Sequence, residues 1–221
     1  DKFQEELNLM KRTDHPNIVK LFEHLEDDDY FYMVMELCSG GELYDRLLEV
    51  GHFSEPQVAI IMQQILRGIM HMHSRKVCHR DLKMENFLLR TTCPIETNRV
   101  KICDFGEGIL IRPGQAMTTK CGAPYYVCPQ VLAGNYDESC DLWSAGVIMF
   151  ILIAGYPPFY GPSDADVLHA VHKRAFSCDP ADWEKISVDA KDLIMGLLAY
   201  HPNDRLHPKR ALASEFFRQK L

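Results

Sequence analysis

The sequence of 221 residues predicts an α+β fold with a small first part and a larger, mostly helical second part. Two observations lead to this prediction. One helix-period segment and two strand-like segments fall within residues 1–37, and helical segments dominate residues 38–221. The hydrophobic content of 47% is enough for a substantial core, and no repeat or low-complexity linker interrupts the chain.

The first part is predicted to contain a helix and a strand hairpin. The helix covers residues 1–12, where side chains spaced three and four residues apart share one helical face. That face contains Phe3, Glu6, Leu7 and Met10. After a break at Pro16, two β-rich runs over residues 18–25 and 30–36 are joined by an acidic turn, which is typical of a hairpin.

Helical patterns dominate the second part. Ser54 and Gln57 have the spacing of a capping box, and the helix they begin runs to about His73. Residues 142–154 are apolar on all sides, which indicates a buried helix. Three amphipathic helices are predicted after it, over Ser163 to Arg174, Ser187 to Ala199 and Pro208 to Phe217.

Reactive side chains concentrate in residues 78–86, which read Cys-His-Arg-Asp-Leu-Lys-Met-Glu-Asn. The stretch supplies one carboxylate, one amine and one amide, from Asp81, Lys83 and Asn86. A second carboxylate, Asp104 of an Asp-Phe-Gly triplet, follows 18 positions after Asn86 (104 − 86). Two short β-rich runs, 87–89 and 100–102, lie between them, so a loop and hairpin would bring both carboxylates to one cleft.

This arrangement resembles the catalytic loop H-R-D-x-x-x-x-N and the metal loop D-F-G of the eukaryotic protein kinases. Residues 121–126 and 141–146 match further kinase motifs at the family's intervals. Within the family the sequence is most similar to calcium-dependent and calmodulin-dependent kinases. The segments behind this similarity are Phe22-Glu23, Met33-Val34-Met35-Glu36, Ser39-Gly40-Gly41-Glu42-Leu43, Tyr136-Asp137-Glu138, Gly155-Tyr156-Pro157-Pro158-Phe159 and Asp189-Ala190-Lys191-Asp192-Leu193-Ile194.

The resemblance implies a bilobal protein-kinase-like fold. Residues 1–37 would be a partial small lobe, made of a helix plus two strands, and residues 38–221 a complete, mostly α-helical large lobe. The large lobe would hold the catalytic loop at 78–86 and an activation segment at 104–130.

The resemblance also implies that ATP and Mg²⁺, with Mn²⁺ as an alternative, serve as cofactors. Asp81 would act as catalytic base and Lys83 would neutralise the transferring phosphate. Asn86 and Asp104 would bind the metal through oxygen, which hard cations prefer. The nucleotide itself would lie against Met35, Glu36, Cys38, Glu42 and Leu88.

Regulatory or structural roles are implied for Glu6, Arg80, Thr119, Asp141 and Arg205. Glu6 would pair with a small-lobe lysine. That lysine and a glycine-rich loop would precede Asp1, so the resemblance implies an amino-terminally truncated sequence with little activity of its own. Arg80 would bind a phosphate on Thr119, for which Thr118 is the alternative acceptor.

Two functions follow from the resemblance. The first is a serine/threonine kinase, indicated by Lys83 two residues after Asp81. Its protein substrates would have the pattern R-x-x-S/T, since Glu42 and Glu85 match positions that read that arginine. The alternative is a catalytically impaired kinase fold that acts as a scaffold. Four departures from the family pattern keep the alternative open: Met84 for proline, Glu107 for an apolar residue, Ala123 for threonine and Gln130 for glutamate.

Composition excludes several other classes. The net charge of −7 argues against nucleic-acid binding. The longest apolar run, residues 147–154, is far shorter than the roughly 20 residues that span a bilayer. Eight cysteines without a C-x-x-C pair favour reduced thiols in an intracellular, cytoplasmic protein. The sequence has no EF-hand pattern, so a calcium-sensor domain or calmodulin would act through segments outside this chain.

Overall fold

The computed structural model describes residues 2–220, in which a helix and a hairpin precede a mostly helical region. Helix α1 (Lys2–Arg12) is followed by the antiparallel strands β1 (Leu21–Glu26) and β2 (Phe31–Met35). The predicted helix start at Asp1 lies outside the described residues. The α+β class and the mostly helical second region are confirmed.

The remaining elements alternate short strands with helices before the chain becomes fully helical. The strands are β3 (Val77–Cys78), β4 (Phe87–Leu89), β5 (Val100–Ile102) and β6 (Ile109–Leu110). The helices are α2 (Leu43–Val50), α3 (Glu55–Ser74), α4 (Pro129–Ala133), α5 (Cys140–Ala154), α6 (Asp164–Lys173), α7 (Pro180–Lys185), α8 (Val188–Leu197), α9 (Pro208–Ala211) and α10 (Glu215–Lys220).

Two long helices form the centre of the large region. Helix α3 begins at the predicted capping box, in which the Ser54 amide donates to Gln57 Oε1 at 3.1 Å. Helix α5 is buried from Cys140 through Leu152 and packs against α3 and α8. The helices within residues 2–220 are all too short or too polar to span a bilayer.

Strand β5 connects the first region to the second. It pairs with β4 in antiparallel register, Phe87 opposite Ile102. On its other side Ile102 donates to the Asn17 carbonyl at 2.9 Å and accepts from the Val19 amide at 2.8 Å. The chain between α1 and β1 is therefore hydrogen-bonded to the same strand that leads into the Asp104 loop.

Some predicted boundaries were wrong. The first strand begins at Leu21 rather than at residue 18, because Ile18 forms a parallel bridge with Ile102 instead. The single helix predicted from Pro208 to Phe217 is two helices, α9 and α10. The second begins where Ser214 Oγ accepts from the Phe216 amide at 3.3 Å, in the manner of an N-cap.

A buried arginine connects α4 to the chain that follows α8. Arg205 is 6% exposed and donates to the carbonyl oxygens of Ser139, Ala199 and Tyr200. Its Nη2 also donates to Gln130 Oε1 at 2.9 Å, and Gln130 Nε2 donates to the Tyr200 carbonyl at 2.6 Å. Burial lowers the pKa of Arg205. The cation is therefore held by neutral oxygen acceptors.

We expect Gln130→Ala to lower the free energy of unfolding by about 1–3 kcal/mol, because it removes one acceptor from a buried cation and one donor from the Tyr200 carbonyl. Urea denaturation of the full-length protein measures the change. Gln219→Ala, on the exposed side of α10, is the matched control and should change stability by less than about 0.5 kcal/mol. Equal, small changes in both variants would contradict this account of Arg205.

Candidate active site

The catalytic-loop candidate is fixed by one buried carboxylate. Asp141, at the start of α5, accepts from the backbone amides of His79 at 3.0 Å and Arg80 at 2.9 Å, and His73 Nε2 lies 2.8 Å from it. Burial raises the pKa of Asp141, but the hydrogen bond and charge of His73 lower it, and the net pKa lies below the ordinary value. The ionised carboxylate holds Arg80 in a left-handed conformation with φ of 68°.

Asp81, Lys83 and Asn86 come together directly after this point. Lys83 Nζ donates to Asp81 Oδ2 at 2.8 Å, and Asn86 Nδ2 donates to the Asp81 carbonyl at 2.9 Å. The amide nitrogen of Asn86 is committed to this bond, which leaves its Oδ1 as the donor atom for a metal. The three side chains therefore form one cluster, in which Asp81 and Lys83 carry opposite charges and Asn86 offers an oxygen atom to a metal.

Asp104 lies next to this cluster at the end of β5. Cys103 N donates to the Asn86 carbonyl at 3.0 Å, and the His79 ring nitrogen lies 3.1 Å from the Cys103 carbonyl. Asp104 is exposed, with φ of 65°, and accepts from the Gly106 amide at 3.1 Å. The hydrogen bond with Asp81 raises the pKa of Lys83, and the charges of Asp81 and Asp104 raise it further. The carboxylates of Asp81 and Asp104 therefore both stabilise the charged form of the Lys83 amine.

Glu6 extends the acidic site from α1. Burial and the charge of Asp104 raise its pKa, while a hydrogen bond from the Phe105 amide lowers it, and the net shift is upward. Among residues 2–220 no cationic side chain forms an ion pair with Glu6. A cation would therefore be favoured at this position.

Two of the residues expected around the nucleotide, Glu42 and Leu88, meet at the edge of β4. Glu42, at the start of α2, forms an antiparallel bridge with Leu88, and the Gly40 amide donates to the Leu89 carbonyl at 3.0 Å. A Cβ at Gly40 would overlap the Thr91 carbonyl oxygen, so the chain approaches β4 only because this residue is glycine. Met35 is 44% exposed.

Comparison with known proteins assigns the sequence to a family. The model of the protein kinase domain matches residues 1–217. The chain belongs to the protein kinase family. The protein-kinase-like fold class that the sequence predicted is therefore confirmed.

Calcium-dependent protein kinases are among the relatives of this kinase domain, as the sequence resemblance predicted. Calcium-dependent protein kinase 3 of Plasmodium berghei (strain Anka) is 43% identical over 220 residues, 99% of this chain and 39% of that protein. Number 4 of the same organism is 44% identical over 213 residues, 96% of this chain and 40% of that protein. Calcium-dependent protein kinase 5 of Plasmodium falciparum (isolate 3D7) is 40% identical over 219 residues, which are 99% of this chain and 38% of that protein. The chain spans about two fifths of these relatives.

The departures from the kinase pattern have identifiable neighbours. The Ala123 backbone amide donates to Asp81 Oδ1 at 3.1 Å, so residue 123 contacts the catalytic-base candidate without a hydroxyl. Glu107 pairs with Lys2 of α1 at 3.1 Å, across an exposed surface. Met84 is fully buried, as a core residue. None of the three disturbs the cluster around Asp81.

The residues expected to read the substrate and to carry the activating phosphate differ in their surroundings. Within residues 2–220 no donor reaches the buried Oε2 of Glu85. Burial raises the pKa of Tyr126, and the charge of Glu85 raises it further. Thr118 and Thr119 are both exposed beside a cavity of ≈ 450 Å³, which Arg80 also lines. The structure brings the Thr119 main chain, rather than its hydroxyl, into the hydrogen-bond network of Arg80.

One ion pair was not predicted from the sequence, which placed Glu36 only against the nucleotide. Lys101 Nζ donates to Glu36 Oε2 at 2.6 Å, and the two side chains are 5% and 14% exposed. The pair connects β5 to the segment after β2, where the nucleotide base is expected. The available signal was a lysine between the apolar residues Val100 and Ile102 of a buried strand.

We expect Lys101→Met to lower the free energy of unfolding by about 3–5 kcal/mol, because it leaves the Glu36 carboxylate partly buried without its closest partner. Urea denaturation of the full-length protein measures this loss, and the added change Glu36→Gln should recover part of it. Lys20→Met removes an exposed lysine paired with Asp14 at 3.4 Å and should cost less than about 1 kcal/mol. Equal costs for the two lysines would contradict the assignment.

Proposed function

We propose that this kinase domain belongs to a serine/threonine protein kinase that transfers the γ-phosphate of ATP to protein hydroxyls. The observation that carries the proposal is the position of Asp81. Its carboxylate is held between Lys83 Nζ and the Ala123 amide, beside Asn86 and Asp104. Phosphoryl transfer depends mainly on positioning and charge stabilisation, which this arrangement supplies.

Each residue has one task in the proposed reaction. Asp81 accepts the hydrogen bond of the substrate hydroxyl and takes its proton as the oxygen bonds to phosphorus and ADP leaves. Lys83 neutralises charge on the transferring group. Asn86 Oδ1 and the exposed carboxylate of Asp104 fit Mg²⁺, or Mn²⁺, because both present oxygen to the cleft. Bound metal would neutralise the phosphates.

Protein substrates with arginine three residues before the hydroxyl are part of the proposal. The charge of Glu85 acts on Lys83, and within residues 2–220 no cationic side chain forms an ion pair with its carboxylate. A substrate guanidinium would pair with it, and Glu42 on α2 is the second acidic candidate. Met35, Glu36, Cys38 and Leu88 are proposed to contact the nucleotide.

The remaining parts of the proposal concern organisation and control. We assign residues 1–37 to the small lobe and residues 38–221 to the large lobe, and phosphorylation of Thr119 to activation. The relatives are named calcium-dependent, so control by a calcium-sensor domain or calmodulin, in an intracellular protein, is proposed for the full-length protein. A scaffold without transfer activity is the alternative that Ala123, Glu107 and Gln130 raise.

In the full-length protein, we expect Asp81→Asn to reduce kcat for phosphorylation of an R-x-x-S peptide by about 10²–10⁴-fold, because the acceptor of the hydroxyl proton is lost. Transfer of labelled phosphate from ATP with Mg²⁺ measures the rate. Asp28→Asn, in the exposed turn after β1, is the matched control and should retain full activity.

Absence of transfer by the unmodified full-length protein, with calcium present, would refute the kinase proposal and support the scaffold. The same assay tests the substrate pattern with a peptide whose arginine is replaced by alanine. Equal kcat/KM for the two peptides would exclude the proposed role of Glu85.

A further inference from the structure

Tyr136 lies between α4 and α5 and contacts both the catalytic loop and the activation segment. Its side chain is buried, at 4% exposure. Its hydroxyl donates to the Thr119 carbonyl at 2.7 Å and accepts from Arg80 Nη1 at 3.3 Å. A single phenol group therefore joins the arginine next to Asp81 to the main chain at the threonine expected to carry phosphate.

The backbone of Tyr136 is fixed independently of this hydroxyl. Its amide and carbonyl exchange hydrogen bonds with Met117 at 3.1 and 2.8 Å, forming an isolated antiparallel bridge. Removing the hydroxyl would leave the bridge and the buried ring in place. The ring is thus held rigidly, and its hydroxyl reaches Arg80 and Thr119 from a fixed position.

The acceptors that Arg80 contacts in this arrangement are neutral oxygen atoms. Its Nε donates to the Glu107 carbonyl at 2.6 Å, and Nη1 donates to the Tyr136 hydroxyl. Among residues 2–220 no carboxylate forms an ion pair with Arg80. Burial raises the pKa of Tyr136, so the hydroxyl stays neutral and keeps the proton that it donates to Thr119.

The Thr119 carbonyl is four residues before the Ala123 amide, which donates to Asp81 Oδ1. Between them, Gly122 has φ of 97° and a Cβ there would lie 2.9 Å from the Arg80 carbonyl oxygen. The segment is therefore short and closely packed on the catalytic loop. Fixing Thr119 limits how far Ala123 can move from Asp81.

We propose that Tyr136 is a positioning residue, whose hydroxyl holds the activation segment against Arg80 and so keeps the Ala123 amide on Asp81 before any phosphate is added. The inference rests on the proposed kinase function and concerns the regulation of the same site. Phosphate on Thr119 would supply a stronger, charged acceptor for Arg80 and make the hydroxyl dispensable.

The test uses Tyr136→Phe in the phosphatase-treated, full-length protein. We expect kcat for peptide phosphorylation to fall about tenfold, the effect of losing one or two hydrogen bonds, with an unchanged KM for ATP. After phosphorylation of Thr119 the variant and the unmodified protein should reach the same kcat. Tyr160→Phe, which removes a hydroxyl from an exposed ring at 69% exposure, is the control and should change neither quantity.

Hydrogen exchange provides a second measurement that does not depend on activity. Residues 113–122 should exchange faster in Tyr136→Phe than in the unmodified protein, while α5 keeps its protection. Faster exchange in both regions would show a loss of global stability and overturn the positioning role. Unchanged exchange in residues 113–122, or an unchanged kcat before phosphorylation, would also overturn it. If the unmodified protein transfers no phosphate, the kinase proposal fails, and the exchange result still decides the inference.

Discussion

The carboxylate of Asp141 is the interaction on which the site depends. A charge in the protein interior costs several kcal/mol unless hydrogen bonds offset the cost, and here two backbone amides and the His73 ring do so. The amides belong to His79 and Arg80, the latter in a left-handed conformation that L-residues rarely adopt. Asp81 follows immediately. Asp141, at the start of the buried helix α5, therefore sets the orientation of the backbone from which the Asp81 side chain extends.

Elsewhere in this domain, neutral groups occupy places where a charge or hydroxyl is usual in the family. Gln130 replaces a glutamate beside Arg205, and the arginine takes carbonyl oxygens as well. The Ala123 amide contacts Asp81 where a threonine hydroxyl would be expected. Neutral hydrogen bonds are weaker than charged ones, but here they give the Arg205 guanidinium and the Asp81 carboxylate polar partners. The departures that suggest a scaffold are thus accommodated locally, without displacing Lys83 or Asn86.

Much of the fold followed from periodicity and capping. The α3 capping box and the buried α5 have strong local signals, and the spacing of the reactive residues identified the family before any geometry was known. Short elements such as α4 and α7 are below the length at which periodicity can be recognised. The Lys101–Glu36 pair and the contacts of Tyr136 join residues far apart in sequence. Such pairings depend on tertiary packing, and residue type alone does not specify the partner.

The most direct test of the role of Asp141 is native-state hydrogen exchange of the His79 and Arg80 amides in the full-length protein, resolved to single residues. If the carboxylate fixes the catalytic loop, both amides should exchange only when the whole domain unfolds, at the free energy that denaturation gives, as expected for the most protected core groups. Exchange of these two amides through local opening, at rates similar to those of exposed residues in the activation segment such as Thr118, would contradict the account.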